Sequence, residues 1–280
     1  MNFSKLVLVT LASALFFVSC TNDDNEDVPL GSYDNGFLIL NQGGFGHNDA
    51  SVSYVSSDFA IAQNDIFSVV NPSITLGDTG QDVGFNGEYA YIVLNGSNKI
   101  QIVNRYTMKN VGSINSGLKN PRYITFANGK GYVTNWGDGG VATDDYVAVI
   151  DLSANKVSSS IPVIEGPERI VENAGKLYVA HKGGYSYGNK ISIIDAKTNN
   201  VSTTITVGDV PDNLIVKDGT LWVACAGNPS YVSSPSVETA SQIVKVNLST
   251  NTVSGTIAYS DATKHLSNLV LDGNDAYYTI

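Results

Sequence analysis

Apolar positions along the chain recur in short runs that Gly, Asn, Asp, Ser and Thr separate. Three runs align in register: Val147–Val157, Ile191–Val201 and Ile243–Val253, with a looser copy over residues 100–111. Each has a strand pattern that ends in Asp or Asn, then a polar turn, then a second strand pattern. The Asp or Asn side chain can accept a hydrogen bond from the backbone two residues on, which favours a turn there. Each run therefore predicts two strands joined by a tight turn.

Two further columns precede each run. The first reads Pro-x-x-apolar and begins at Pro121, Pro167 and Pro211. The second is apolar and aromatic, and it lies at Gly129–Asn135, Gly175–His181 and Gly219–Cys225. One unit thus holds four short strands and repeats at a period of roughly 40 to 55 residues, which is typical of propeller blades. The sequence predicts an all-β fold, a β-propeller of four-stranded blades; a solenoid is the alternative, although its units are shorter.

One column also carries a family signature. Tyr132-Val133-Thr134-Asn135 resembles the signature of the YVTN-repeat propellers of the quinoprotein type, and Val149–Asp151 and Ile193–Asp195 resemble its next strand. The resemblance covers residues 36–280 and implies seven blades in a complete chain. The repeats begin and stop at a second strand, so fewer than six blades are present. We therefore expect the propeller, residues 36–280, to be truncated at its C-terminus.

The N-terminal residues predict export. Lys5 precedes an apolar stretch, Leu6–Val18, that is typical of a signal peptide. Residues 1–19 are therefore assigned to a signal peptide. Ser19-Cys20 resembles a lipobox, with Phe17 in place of the usual Leu, so Cys20 is the predicted lipidation site. An ordinary secretory signal is the alternative.

Residues 20–35 are predicted to form an acidic, flexible tether. The segment Asn22–Asp27 holds four carboxylates and no apolar residue, so it cannot bury a core. It resembles the export signal of lipoproteins that reach the outer face of the outer membrane; a plain linker is the alternative. We expect an outer-membrane protein that faces the cell exterior and is held by lipid alone.

Net charge and cysteine content bear on nucleic-acid binding and on disulfide formation. The net charge of −10 at pH 7 argues against nucleic acid, because a phosphate backbone requires Lys and Arg. With Cys20 assigned to lipid, Cys225 is left without a partner for a disulfide. Its place in an apolar strand predicts a small buried hydrophobic residue.

Candidate binding residues lie where loops of a propeller converge. The loops from second to third strand and from fourth to first strand share one face, called here the loop face, and they vary most in this sequence. Variable loops on a rigid scaffold commonly carry function. Aromatic tips around a polar ring at the channel mouth predict a site for a flat polar ligand or a glycan; tight turns with half-buried rings are the alternative. The candidate ligand-binding residues are Phe45, His47, Gln81, Asp82, Arg122, Tyr123, Trp136, Asp138, Glu168, Arg169, Tyr185, Tyr187, Asp212, Asn213, Asn228, Tyr231 and Asn268.

Patterns that would indicate catalysis are weak. Gly184–Gly188 matches the nucleophile elbow Gly-x-Ser-x-Gly, but it lies between strands rather than at a strand-to-helix turn, which predicts coincidence. The three histidines have no metal-binding spacing, and the acidic loop 138–145 lacks the calcium-loop pattern. We therefore predict no catalytic residue, no metal site and no bound cofactor.

The opening Phe37–Gly46 carries a second resemblance. It resembles the corrinoid-capturing surface lipoproteins, which implies cobalamin as the ligand and a TonB-dependent transporter as the partner. A cell-surface scaffold that binds a glycan or a protein is the alternative. An enzyme of the lactonase or quinone-dependent dehydrogenase type is the third reading, and its metal would be repelled by Arg122 and Arg169.

Overall fold

The strands of the repeat form antiparallel sheets that are hydrogen-bonded in chain order. The computed structural model describes residues 30–229 and 237–280. Within this part of the chain, four sheets have four strands each, one has three and one has two. The fold is an all-β propeller of four-stranded blades, which confirms the prediction. The described residues contain no helix that is long and apolar enough to cross a membrane.

The first and last sheets are smaller than the others. The first holds β1 (Gly36–Asn41), β2 (Ser51–Ser56) and β3 (Ala62–Gln63), and the short helix α1 (Ile66–Val70) follows it. The last sheet holds β20 (Ser267–Asp272) and β21 (Asp275–Thr279).

Four complete blades lie between these sheets. The first blade is β4 (Gly80–Asn86), β5 (Tyr89–Leu94), β6 (Lys99–Asn104) and β7 (Asn110–Ile114). The second is β8 (Pro121–Ala127), β9 (Lys130–Asn135), β10 (Tyr146–Asp151) and β11 (Lys156–Pro162). The third is β12 (Pro167–Asn173), β13 (Lys176–His181), β14 (Lys190–Asp195) and β15 (Asn200–Thr206). The fourth is β16 (Pro211–Lys217), β17 (Thr220–Cys225), β18 (Gln242–Asn247) and β19 (Thr252–Ala258).

The core lies between neighbouring blades. The two middle strands of each complete blade are buried on both faces, which explains why they read as continuous apolar runs. Between the first and second blades, for example, Val93 and Ile102 pack with Ile124 and Val133. The fourth strands of the second, third and fourth blades are mostly exposed, and their sequences accordingly contain several Ser and Thr residues. Cys225 is buried in this core, as predicted, and burial raises the pKa of its thiol to about 12.

Residues of the repeat signature also join one blade to the next. Tyr132 is fully buried, and its hydroxyl donates to the carbonyl oxygen of Ala196 in the third blade at 2.9 Å. The predicted turn bonds are present as well, because Asp151 Oδ1 accepts the backbone N–H of Ser153 at 2.9 Å. The repeated positions therefore set both the turn within a blade and the contact between blades.

Residues 31–35, which precede β1, lie at the face opposite the loop face. The backbone N–H of Tyr33 donates to the carbonyl oxygen of Tyr106 at 2.9 Å, and Tyr106 lies in the turn between β6 and β7. From there β1 runs towards the loop face and ends at Asn41, where the loop of residues 42–50 begins. The segment 31–35 and the candidate binding loops thus occupy opposite faces of the propeller.

Candidate ligand-binding site

The polar ring at the channel mouth is built on β-bulges. The first strands of successive blades contact one another, so they surround the central axis. In the second blade the register of β8 against β9 shifts between Pro121 and Ile124, which leaves Arg122 and Tyr123 opposite the single residue Thr134. The same irregularity recurs in the other complete blades and the last sheet. A bulge re-aims the side chains that it carries, and here Arg122 and Tyr123 contact residues of the neighbouring blades.

The strongest contact in the ring joins the second and third blades. Arg122 donates two hydrogen bonds to Glu168, from Nε to Oε2 at 3.0 Å and from Nη2 to Oε1 at 2.8 Å. Glu168 is only 1% exposed. The carboxylate of Glu168 offsets the charge of Arg122, so the expectation that a cation is repelled here now depends mainly on Arg169.

Two further contacts extend the ring to the first blade, and a third joins the second and third blades again. Asp82 Oδ2 accepts the backbone N–H of Ile124 at 2.9 Å, and Gln81 Nε2 donates to the hydroxyl of Tyr123 at 3.0 Å. The guanidinium carbon of Arg169 lies 4.0 Å from the centre of the Tyr123 ring. The ring residues therefore hold neighbouring blades together in addition to lining the channel mouth.

Burial raises the pKa of two ring residues. It raises the pKa of Asp82, although the N–H of Ile124 and the charge of Arg169 act in the opposite direction. Burial, followed by the charge of Glu168, raises the pKa of Tyr123 to about 12. The hydroxyl of Tyr123 accepts from Gln81 and, as a phenol, can still donate to another group.

An aromatic pair stands above the ring. The indole Nε1 of Trp136 donates to the carbonyl oxygen of Pro167 at 3.1 Å, and Arg122 lies 4.3 Å from the centre of the Trp136 ring. The Tyr185 ring meets Trp136 edge-on at a centroid distance of 6.0 Å, and Tyr185 is 75% exposed. The Tyr185 ring packs over Gly139, where a Cβ would push the ring aside. The result is a fixed indole with a solvent-facing phenol beside it.

Other candidate residues are spread over the loop face. Phe45 is 78% exposed in the loop after β1, and His47 is exposed in the same loop. Tyr187 is exposed in the loop between β13 and β14. Asp138 lies 3.6 Å from Lys119 Nζ in an exposed ion pair. These side chains lie in three different loops of the loop face, those after β1, β9 and β13.

The fourth blade and the last sheet contribute polar residues. Asp212 Oδ1 lies 3.6 Å from Lys182 Nζ, and Asn213 beside it is half-buried. Asn228 is buried, and its Nδ2 donates to the carbonyl oxygen of Val237 at 2.6 Å. Asn268 is exposed on the edge of the last sheet. Tyr231 and Cys20 lie outside the described residues.

The remaining chemical patterns give no catalytic constellation. No group of three or more His, Cys, Asp or Glu residues is placed to hold a metal ion in the described ranges. Burial lowers the pKa of His181 to about 4, and its Nε2 lies 2.8 Å from Ser192 Oγ. Ser186 of the elbow-like motif donates to the carbonyl oxygen of Gly183 at 2.9 Å in an exposed loop. The Ser186 hydroxyl also lies 3.2 Å from Glu165 Oε1.

Sequence reasoning did not single out Lys182. The structure places its ammonium group next to Asp212 at the loop face. Lys182 directly follows β13, as Trp136 directly follows β9, so its place in the repeat is the signal that could have identified it.

Comparison with known proteins agrees with the fold. The family described as "Domain of unknown function (DUF5074)" matches residues 35–268. No curated protein matches the chain by sequence.

Several solved structures are similar in fold at low identity. The hydrazine synthase of Kuenenia stuttgartiensis has a TM-score of 0.65 and 15% identity over 90% of this chain and 74% of its own. Saccharomyces cerevisiae Sqt1 has a TM-score of 0.60 and 11% identity over 86% of this chain and 62% of its own. The Pan2 WD40 domain of Neurospora crassa has a TM-score of 0.57 and 12% identity over 81% of this chain and 63% of its own. At these identities the likeness establishes the propeller fold and nothing about ligands.

Proposed function

The chain belongs to the DUF5074 family, and we propose that it is a surface-exposed binding lipoprotein whose loop face captures a corrinoid for a TonB-dependent transporter. The observation that carries the proposal is the pair Trp136 and Tyr185, held above the ion pair of Arg122 and Glu168. A corrinoid offers a flat macrocycle bordered by amide groups. A fixed indole, an exposed phenol and nearby polar side chains provide the stacking and hydrogen-bonding partners that such a ligand requires.

Two further features support this proposal. The opening Phe37–Gly46 resembles the corrinoid-capturing group, and its Phe45, in the loop after β1, has 78% of its surface exposed. The segment 31–35 lies on the face opposite the loops. An anchor at Cys20 would therefore leave the loop face directed away from the membrane, where it could meet a ligand or a transporter.

Calorimetric titration of the unlipidated chain with cyanocobalamin tests the proposal. The informative variant is Tyr185→Ala, because a side chain that is 75% exposed contributes little to folding. The matched control is Phe59→Ala, which removes an aromatic side chain that is 74% exposed in the turn between β2 and β3, on the opposite face. We expect Tyr185→Ala to weaken binding by about tenfold, the effect of losing one aromatic contact, and Phe59→Ala to bind as the unaltered chain does.

Two outcomes would contradict the proposal at different levels. No heat at micromolar protein would exclude corrinoid capture. Binding that Tyr185→Ala leaves unchanged would place the corrinoid elsewhere than on the aromatic pair.

A glycan is the second candidate ligand. The segment around Gly139 contacts the Tyr185 ring, which brings the exposed carboxylate of Asp138 into the same loop region as that ring. A sugar is commonly held by an aromatic face together with a carboxylate that accepts its hydroxyl groups. Screening of the same two variants on a glycan array would test this reading if cyanocobalamin gives no heat. Metal analysis of the purified protein would test the enzyme alternative, which we do not favour.

A further inference from the structure

A cavity of about 430 Å³ lies between the loop that follows β1 and the segment 64–76, which carries α1. This volume falls within the range of pockets that hold small molecules. Every residue of its lining belongs to the described part of the chain, and the lining includes neither Trp136, Tyr185 nor the ring residues. The cavity is therefore separate from the candidate site at the channel mouth.

One wall of the cavity is a departure from the repeat. Residues 57–79 match no column of the repeat, and insertions of this kind commonly carry binding in repeat proteins. The wall is attached to the first blade, because Asn71 Nδ2 donates to the carbonyl oxygen of Met108 at 3.0 Å. The N–H of Ala50 donates to the carbonyl oxygen of Gly77 at 3.1 Å and so joins the two walls. The cavity is thus preformed, which lowers the entropic cost of binding.

Polar groups without a protein partner line the cavity. Asp65 stands at the N-cap of α1, where an aspartate usually accepts an N–H of the first turn, but its carboxylate makes no such bond. Ser68 and Ser73 make no side-chain hydrogen bond within the described residues. Asp49 uses Oδ1 for the N–H of Gly44, at 2.8 Å, which leaves Oδ2 for another donor. The lining therefore offers hydroxyl groups and free acceptors to a ligand.

Apolar side chains complete the lining. Ala50 and Leu76 are only 7% and 2% exposed, and Ile74 packs against the same core cluster. These buried residues form an apolar floor beneath the polar groups. A pyranose ring carries hydroxyl groups around its edge and C–H groups on its faces, so this combination complements both of its surfaces.

The charges around the cavity do not favour an ion. The carboxylates of Asp49 and Asp65 line it, and the ammonium group of Lys99 donates to the carbonyl oxygen of Thr75, another lining residue, at 3.3 Å. Two carboxylates would repel an anion, and the described residues place no group of three or more ligands for a metal ion. An uncharged ligand with many hydroxyl groups can use the acceptors and the donor alike.

We propose that this cavity binds an uncharged pyranose unit, with its hydroxyl groups at Asp49, Asp65 and Ser68 and a C–H face against the apolar floor. The inference does not rest on corrinoid binding. It also differs from the glycan alternative at the aromatic pair, because it requires neither Tyr185 nor Asp138.

Saturation-transfer NMR of the unlipidated chain with a panel of methyl pyranosides tests the proposal. The panel holds the methyl glycosides of glucose, galactose, mannose, fucose, xylose, glucosamine and N-acetylglucosamine, each at millimolar concentration. We expect transfer to at least one uncharged member. Tetrahydropyran-2-methanol, which keeps the ring but has a single hydroxyl group, is the control probe and should show no transfer.

Matched variants locate the bound sugar. Asp65 has φ at 53°, which glycine adopts readily, so Asp65→Gly removes the carboxylate without straining the backbone. We expect it to weaken binding about tenfold, the effect of losing a hydrogen bond to a charged acceptor. Asp218→Gly is the control, since Asp218 is exposed with φ at 49° in the turn between β16 and β17, on the opposite face. Ser68→Ala should weaken binding about fivefold.

Several results would overturn the proposal. One is the absence of transfer to every member of the panel, and another is Asp65→Gly binding the sugar as tightly as Asp218→Gly does. Loss of binding in Tyr185→Ala would place the sugar at the aromatic pair instead. A preference for the glucosamine glycoside over the N-acetylglucosamine glycoside would show that charge selects the ligand, against the uncharged class. The cyanocobalamin titration is independent of all these results, so the two proposals fail separately.

Discussion

At the scale of single residues, the ion pair of Arg122 and Glu168 is the most sensitive point of the channel mouth. Glu168 is 1% exposed and the Arg122 side chain is 15% exposed, so a lone charge there could not be solvated. We expect Glu168→Gln to lower the free energy of unfolding by about 3 kcal/mol, because it leaves the guanidinium without its carboxylate. Urea denaturation measures the change.

A control for this prediction is an exposed pair in the same region. Asp138→Asn removes the ion pair with Lys119. Because the Asp138 and Lys119 side chains are 62% and 53% exposed, we expect this variant to lose less than about 1 kcal/mol of unfolding free energy. If the two variants were equally stable, the pair at the channel mouth would contribute no more than a surface contact.

Asp145 makes the folding stability depend on pH with the opposite sign to that of a carboxylate whose pKa is lowered by folding. It is 3% exposed, its Oδ2 accepts the N–H of Gly166 at 2.6 Å, and its Oδ1 has no hydrogen-bond partner. Burial, with the charges of Asp144 and Glu165 adding to it, raises its pKa from 3.8 to about 6. The folded state therefore favours the protonated form, so this stabilisation is complete below pH 4 and is lost as the pH rises through 6.

We expect Asp145→Asn to be more stable than the unaltered chain at pH 7.5, by an amount on the order of 2 kcal/mol. The amide oxygen still accepts from Gly166, and no buried charge forms. The advantage should vanish near pH 4, where thermal melts of the two proteins should coincide. Asp151→Asn is the control, since the Ser153 hydroxyl and nearby backbone N–H groups lower the pKa of Asp151 and its replacement should be destabilising at neutral pH. An advantage of Asp145→Asn that persists at pH 4 would show that its cause is packing.

At the scale of elements, the repeat signature and the bulge depend on each other. Thr134 is fully buried, and its hydroxyl accepts the N–H of Tyr123 at 3.0 Å and donates to the carbonyl oxygen of Glu168 at 2.8 Å. The extra residue of the bulge would otherwise leave that N–H unsatisfied. The signature threonine therefore stabilises the strand geometry that turns the ring residues towards the channel.

We expect Thr134→Val to lower the unfolding free energy by about 1–3 kcal/mol. Valine preserves the shape of the side chain but leaves the N–H of Tyr123 and the carbonyl oxygen of Glu168 without this hydrogen-bond partner. Thr134→Ser keeps the hydroxyl and should cost about 0.8 kcal/mol for the lost methyl group. Urea denaturation of both variants decides between the two causes. A serine variant that is less stable than the valine variant would mean that packing, and not the hydrogen bonds, explains the threonine.

The elements that sequence predicted are those whose residues recur. Pro121, Pro167 and Pro211 each begin a first strand, and Asp151 and Asp195 each end a third strand, because the proline and the turn-forming carboxylate act locally. The helix α1 and the two-residue β3 were not predicted, since residues 57–79 match no column of the repeat. The bulges were not predicted either, because a register shift depends on two strands and leaves no mark in one of them.

The same limit applies to the site. The positions of the ring residues follow from the repeat, and so does their convergence. Their partners do not, because the contact of Arg122 with Glu168 joins residues 46 positions apart.

At the scale of the whole molecule, the first described segment and the candidate binding loops lie on opposite faces. The segment 31–35 lies with the turn at Tyr106, and the candidate loops occupy the other face. Residues 21–30 reach at most about 35 Å, whereas a domain of this size has a radius of gyration of about 18 Å. A lipid-anchored tether of this length, as proposed above, would be no longer than the diameter of the propeller, so we expect it to bias which face approaches a membrane.

Vesicle-based energy transfer tests this orientation. The chain from Thr21 onward is attached to nickel-chelating lipids through an N-terminal histidine tag, and a donor dye is placed by Phe59→Cys or by Tyr187→Cys. Cys225 should not react, because it is buried and its thiol pKa is raised to about 12. With an acceptor dye in the lipid, we expect the donor at position 59 to be quenched at least twofold more than the donor at position 187. A C-terminal tag is the control for the effect of the tether. Equal quenching with the N-terminal tag would mean that the body turns freely, and a lipid at Cys20 would then not direct the loop face outward.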